Sequence, residues 1–143
     1  MRLSLDKWIK RYEEKTKDKF ETPAGFTLYY LPERGFAQFA VDPTTKSLII
    51  YQLCGDALFW HDLGIIMCQQ QGLHNLCSIC TRNIKPYIRL FGWKIIKEEE
   101  IEGMKRFYCL AADGGNVLIT YAWLNEDTGA PNYYVTQEVK AIG

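Results

Sequence analysis

SLIIYQLCGDALFWHDLGIIMCQQQGLHNLCSICTRNIKPYIRLFG, Ser47 to Gly92, is the stretch that decides the fold. Ser47–Gln52 is apolar and β-prone, as a buried strand is. Gln52-Leu53-Cys54-Gly55-Asp56-Ala57 breaks it. Ala57 to Gln71 has the length of a helix, with Asp56 as N-cap and Gly72 as its C-terminal stop. Phe59, Leu63, Ile66 and Met67, joined by Trp60, form its expected apolar face. Gly64 inside it costs up to ~1 kcal/mol relative to Ala, a sign of close packing or of a tolerated weakness. His74–Cys80 reads as a second strand. Thr81-Arg82-Asn83 then opens a short helix with Pro86 in its first turn, ending at Gly92. Strand, crossover helix and strand make a β-α-β unit, whose helix N-terminus lies at the carboxyl edge of the sheet. Anionic ligands bind at that edge in open α/β sheets.

Outward from this unit the chain alternates short elements. Leu5, Trp8, Ile9 and Tyr12 fall at helical spacing, predicting an amphipathic helix from Leu5 to Lys17 capped by Ser4. Phe26–Leu31, Phe36–Val41 and Ser47–Gln52 form an antiparallel meander, joined by turns at Pro32–Gly35 and Asp42–Thr45. After Gly92, extended structure resumes at Trp93–Ile96, and Glu98-Glu99-Glu100 reads as a solvated strand end or loop. Met104–Leu110, Asn116–Leu124 and Asn132–Val139 are further strands. The aromatic residues of the last third belong to a core or to an oligomer contact.

The chain has 143 residues, 48% of them hydrophobic, and 17 basic against 17 acidic side chains. That suits one domain with a sizeable core and leaves no global charge for nucleic acid or an anionic membrane. The basic residues among the first 19 are interleaved with acidic ones, as on a solvated helix face. Five cysteines with apolar neighbours suggest reduced thiols and a cytoplasmic protein. Cys77-Ser-Ile-Cys80 lies in a strand, where its two thiols face opposite sides. It reads as structural, and no metal site is expected. No signal peptide or membrane span is expected either.

The order of elements, the Gln52–Ala57 junction and the Gly92-Trp93 pair resemble the GNAT superfamily, the Gcn5-related N-acetyltransferases. The resemblance covers about residues 26–110 of a single domain, 1–143, with 111–143 as additional C-terminal strands. It implies an α+β fold with an N-terminal helix, a strand meander, a β-α-β unit, a short helix and C-terminal antiparallel strands. In that superfamily a Gln/Arg-x-x-Gly-x-Gly/Ala loop holds the pyrophosphate of acetyl-CoA. Gln52, Leu53, Cys54, Gly55, Asp56 and Ala57 stand there in this chain, and acetyl-CoA is the implied cofactor. The superfamily's general acid, a Tyr, falls at Ile88, beside Tyr87, and neither Ser47–Gln52 nor His74–Cys80 carries its catalytic Glu. His61 and Tyr87 are the catalytic candidates, with His74, Glu33 and Asp56 as further substitutes for a base.

Two readings follow. One is an acyl-CoA-dependent N-acyltransferase acting on an unknown amine. The other is a catalytically inactive GNAT-fold interaction or assembly protein, of the compact kind that occurs in prophages. Its aromatic C-terminal strands would pair with another subunit, as in a homodimer, or with a protein partner.

Overall fold

The computed structural model describes residues 1–81 and 83–142. Its elements run α1 (Leu5–Thr16), β1 (Thr27–Leu31), β2 (Gly35–Asp42), β3 (Ser47–Gly55), α2 (Ala57–Gln71), β4 (Asn75–Cys80), α3 (Lys85–Leu90), β5 (Lys94–Ile101), β6 (Met104–Leu110), β7 (Asn116–Leu124) and β8 (Pro131–Glu138). Eight strands form one mixed, mostly antiparallel sheet in the order β1-β2-β3-β4-β8-β7-β6-β5. Among the described residues only β3 and β4 run parallel, as the helix between them requires.

Local signals set the helix ends. Ser4 Oγ accepts a hydrogen bond from the Lys7 amide at the start of α1, and Lys17, expected inside the helix, is its left-handed C-cap. Asp56 accepts from the Phe59 amide at the start of α2, and Gly72 ends that helix at φ +67°. Pro86 sits in the first turn of α3, where its missing N–H costs nothing. That helix starts at Lys85, later than the expected Thr81-Arg82-Asn83 opening; Arg82 lies outside the described residues.

Two expectations about packing are corrected. On α2, Trp60 is buried with Gly64 and Cys68, and Phe59, Leu63 and Met67 pack against the same core as expected, but Ile66 is exposed. Apolar residues circle this helix, so periodicity could not choose a face. Gly64 is there for close packing: a Cβ would stand 3.0 Å from Leu76 Cδ1. The C-terminal strands, expected to pair with another subunit or partner, lie inside the sheet. The last strand, β8, lies between β4 and β7, with Ser78 opposite Val135 and Ile119 opposite Val135. Both β7 and β8 therefore already have two neighbours, and the free sheet edges are β1 and β5. The Glu98–Glu100 run lies inside β5 and, with Lys94 and Lys97, charges that edge, which discourages further pairing.

Three core clusters result. Helix α1 lays Trp8 and Tyr12 on Phe36 and Cys54 on one face of the sheet. Helix α2 packs Trp60 and Cys68 on Phe39, Leu48, Ile50 and Leu76. Helix α3 and Trp93 cover Phe107, Ile119, Tyr133 and Val135. Gln137 follows Val135 on the same side of β8 and meets His61 of α2, so α2 and α3 share the face opposite α1.

The candidate site at the parting of β3 and β4

The parallel pairing of β3 with β4 begins at Ser47/Asn75 and ends at Ile50/Ser78. Strand β3 continues to Gly55, still paired with β2, and β4 continues to Cys80, still paired with β8. The two strands part at their carboxyl ends. The cause lies in β3: between Leu53/Ala37 and Ile50/Phe39, two residues, Tyr51 and Gln52, oppose the single Gln38. Such a bulge adds local twist and swings the strand away from its neighbour.

The bulge also reverses the side-chain parity of β3. Gln52, read from the sequence as a cofactor ligand, points toward α1. It is 2% exposed; its Nε2 donates to Asp18 Oδ2 and Lys19 O, both at 3.0 Å. Its Oε1 accepts from the Glu21 amide at 3.2 Å and from Gln38 Nε2 at 3.1 Å. This amide pegs the charged segment after α1 to the sheet. Tyr12 joins the same group by donating to Asp18 at 2.6 Å, and burial together with that carboxylate pushes its phenol above the ordinary tyrosine range. Gln52 is thus a structural residue.

Parting leaves an open cleft, about 1150 Å³ of empty space with its mouth included. Leu53, Cys54, Gly55 and Ala57 line it; Gln52 and Asp56 do not. The main chain of β3 faces it in a defined way. The Asp56 amide donates to Arg34 O at 2.9 Å, which makes Gly35 and Gly55 a non-hydrogen-bonded pair. Alternation then gives Cys54 to the ladder with Phe36 and turns the N–H and C=O of Leu53 and Gly55 away from β2, toward the opening.

The start of α2 is differently arranged from what the sequence suggested. Asp56 spends its amide on Arg34 O and its carboxylate on the Phe59 amide, 3.1 Å away. The Arg34 guanidinium pairs with that carboxylate and lies 4.9 Å from the centre of the Phe59 ring. Of the helix's first amides, those of Ala57 and Leu58 are left for an anion, and Arg34 offsets the negative charge of Asp56. Capping by Phe59 N–H first, and Arg34 after it, hold the Asp56 carboxyl below its ordinary range. A depressed carboxylate stabilises the fold above its unfolded pKa, and that contribution disappears as pH falls through the folded value. Asp56→Ala is therefore expected to cost about 1 kcal/mol at pH 7, the usual worth of an N-cap. The difference from the parent protein should shrink in urea denaturation at pH 3; an unchanged difference there would mean that the cap does not act through its charge.

His61, one turn into α2, lines the cleft. Its ring stacks on Phe91 at 4.4 Å between centroids, and Phe91 in turn meets Trp93 at 5.0 Å and Tyr87 at 6.1 Å. His61 Nε2 lies 2.6 Å from Gln137 Oε1, and Nδ1 lies 3.4 Å from the Asp62 carboxylate. Through Nε2 and the Phe91 stack, the ring joins α2 to β8 and to the end of α3. His61→Leu leaves the buried Gln137 amide without this partner, an expected loss of about 1–3 kcal/mol. His61→Leu/Gln137→Leu should recover part of that loss in chemical denaturation; additive losses would deny the coupling.

Tyr87 also lines the cleft, while Ile88 is buried in the α3 core, so the aromatic side chain that reaches the opening comes from the residue before the expected one. His74 begins the segment leading into β4, its amide donating to Lys46 O, and Glu33 pairs with Arg2; neither lines the cleft. Ser78, Thr81, Tyr51, Gln137 and the α1 residues Tyr12, Lys15 and Thr16 also line it, and among the described residues no carboxylate belongs to it. Sequence reading missed Arg34, Ser78 and Gln137. Arg34 had a visible signal in the Arg-Gly turn, but what that turn touches depends on β2 reaching Gly55.

Among the described residues no cysteine forms a disulfide, and Cys77 and Cys80 lie in β4. Among the described residues no group of three or more His, Cys, Asp or Glu could hold a metal ion, and no helix is long and apolar enough to cross a membrane. No protein-family model, curated protein or solved structure matches the chain.

Proposed function

We propose that the protein is a GNAT-like, acyl-CoA-dependent N-acyltransferase whose donor lies in the opening between β3 and β4. One observation carries this reading: parallel pairing stops at Ile50/Ser78 while the main chain of Leu53 and Gly55 stays extended and faces the gap. A pantetheine arm has two amides and the width of an extended strand. It can take the place of the missing neighbour, bonding to strand donors and acceptors as an added strand does. The amides of Ala57 and Leu58 at the start of α2, with Arg34 beside them, suit the pyrophosphate.

In the reaction the Leu53 N–H polarises the thioester carbonyl. The amine nitrogen forms the new C–N bond, the C–S bond breaks, and the proton lost by the amine ends on the departing thiolate. Since no described lining residue is a carboxylate, the amine must arrive unprotonated or lose its proton through water. Tyr87, a hydroxyl of the lining, would give a proton to the leaving sulfur and regain one from the amine through water.

The test is a thermal titration with acyl-CoA, followed by thiol release in the presence of a panel of amines. Ligand at 100 times its Kd should stabilise the fold by about 2.7 kcal/mol. A melt unmoved by millimolar acyl-CoA would remove the acyltransferase and leave the inactive interaction protein. Binding without thiol release for any amine would favour that second reading in a coenzyme-binding form.

A further inference from the structure

We infer that the donor's acyl group is an apolar chain of medium length, held between α2 and α3, and not acetyl. The inference rests on the acyltransferase reading and goes on to name its substrate class. The floor of the cleft is lined by Ile50 and Leu76, from the last paired residues of β3 and β4, by Val135 from β8, and by Ile84 and Trp93 on either side of α3. All five are less than 9% exposed. Ile50 and Leu76 belong to the core under α2, whereas Ile84, Trp93 and Val135 belong to the core under α3. The cleft thus runs between two cores that do not merge.

Two polar side chains near this floor are turned to each other. His61 and Gln137 meet each other at 2.6 Å, so bound water gains little by staying there. A two-carbon acyl group would end near Leu53 and leave this floor uncovered. A longer chain would replace weakly held water with contacts to both cores, which is the favourable direction for apolar surface. The stacked pair His61–Phe91 spans from α2 to the end of α3 and gives the chain a flat wall.

The test compares CoA, acetyl-CoA, butanoyl-CoA, hexanoyl-CoA and octanoyl-CoA by calorimetric titration of the full chain. Affinity is expected to rise about fourfold for each added methylene until the floor is covered, the gain of one buried CH₂. Val135→Phe and Ile84→Phe, each checked for an intact melting transition, are expected to flatten that rise while acetyl-CoA binding stays as it was. Two variants are used because one overfilled core position can fail to fold. Equal or tighter binding of acetyl-CoA than octanoyl-CoA overturns the acyl-chain inference and leaves the acyltransferase standing. A length dependence that survives both variants also overturns it, since the chain then lies elsewhere. Absence of binding by every thioester overturns the underlying function.

Discussion

Gly55→Ala is expected to lower the unfolding free energy by about 3 kcal/mol or more. Gly55 holds φ at +105°, where a side chain is strained by about 1–3 kcal/mol. An added Cβ would also lie 2.3 Å from Arg34 O and 3.0 Å from both Arg34 C and Gly35 Cα. Every one of these atoms is main chain, so no side chain can swing aside, and overfilling of this kind costs a further ~1–3 kcal/mol. The contact is reciprocal: Gly35, at φ +92°, would bring a Cβ to 2.0 Å from Cys54 O. The two glycines lie opposite each other where β2 begins and β3 ends, and one substitution forces the strands apart there. Gly35→Ala should cost a similar amount, and the double variant less than the sum, because the first separation makes room for the second. Urea denaturation with an unchanged m value is the measurement. A loss below 1 kcal/mol for both variants would mean that the β1–β2 turn does not sit against Gly55.

The second large effect is on activity. Leu53→Pro is expected to lower kcat for acyl transfer by about 10²–10³-fold, the usual consequence of removing one oxyanion donor. The main-chain N–H of Leu53 faces the opening and takes no part in the ladder with β2, so proline removes the proposed oxyanion donor without removing a sheet hydrogen bond. Cys54→Pro is the control. Cys54 is paired with Phe36 in the ladder, and proline there should unfold the protein instead of merely silencing it. Thiol-release kinetics and a melting curve on the same samples separate the two outcomes. A Leu53→Pro protein that folds and retains full kcat would show that this amide does not touch the thioester.

Much of the local structure was legible before any coordinates. The span Ala57–Gln71 agrees with the structure at both ends because its signals are local: a carboxylate that caps its own helix and a glycine that ends it. Met104–Leu110 and Asn116–Leu124 agree for a related reason, being β-prone runs between turn residues. Gln52 was misread because a bulge shifts side-chain parity by one. That shift arises from the pairing of two strands, not from the sequence of either. On α2 only Ile66 departs from the expected face, because apolar residues surround the helix and the sheet beneath chooses Trp60, Gly64 and Cys68 as its most buried line.

Amino-acid order by itself determined where the helices and most strands lie, and that β3 and β4 must be parallel, since a fifteen-residue helix joins them. Tertiary structure alone decided that β8 enters between β4 and β7, that Arg34 reaches the start of α2, and that β3 and β4 part beyond Ile50/Ser78. The reason is one of range. Caps and turns are satisfied within a few residues, whereas sheet order and a bulge are settled by competition among distant strands for the same hydrogen bonds. The candidate site lies where β3 and β4 stop sharing theirs.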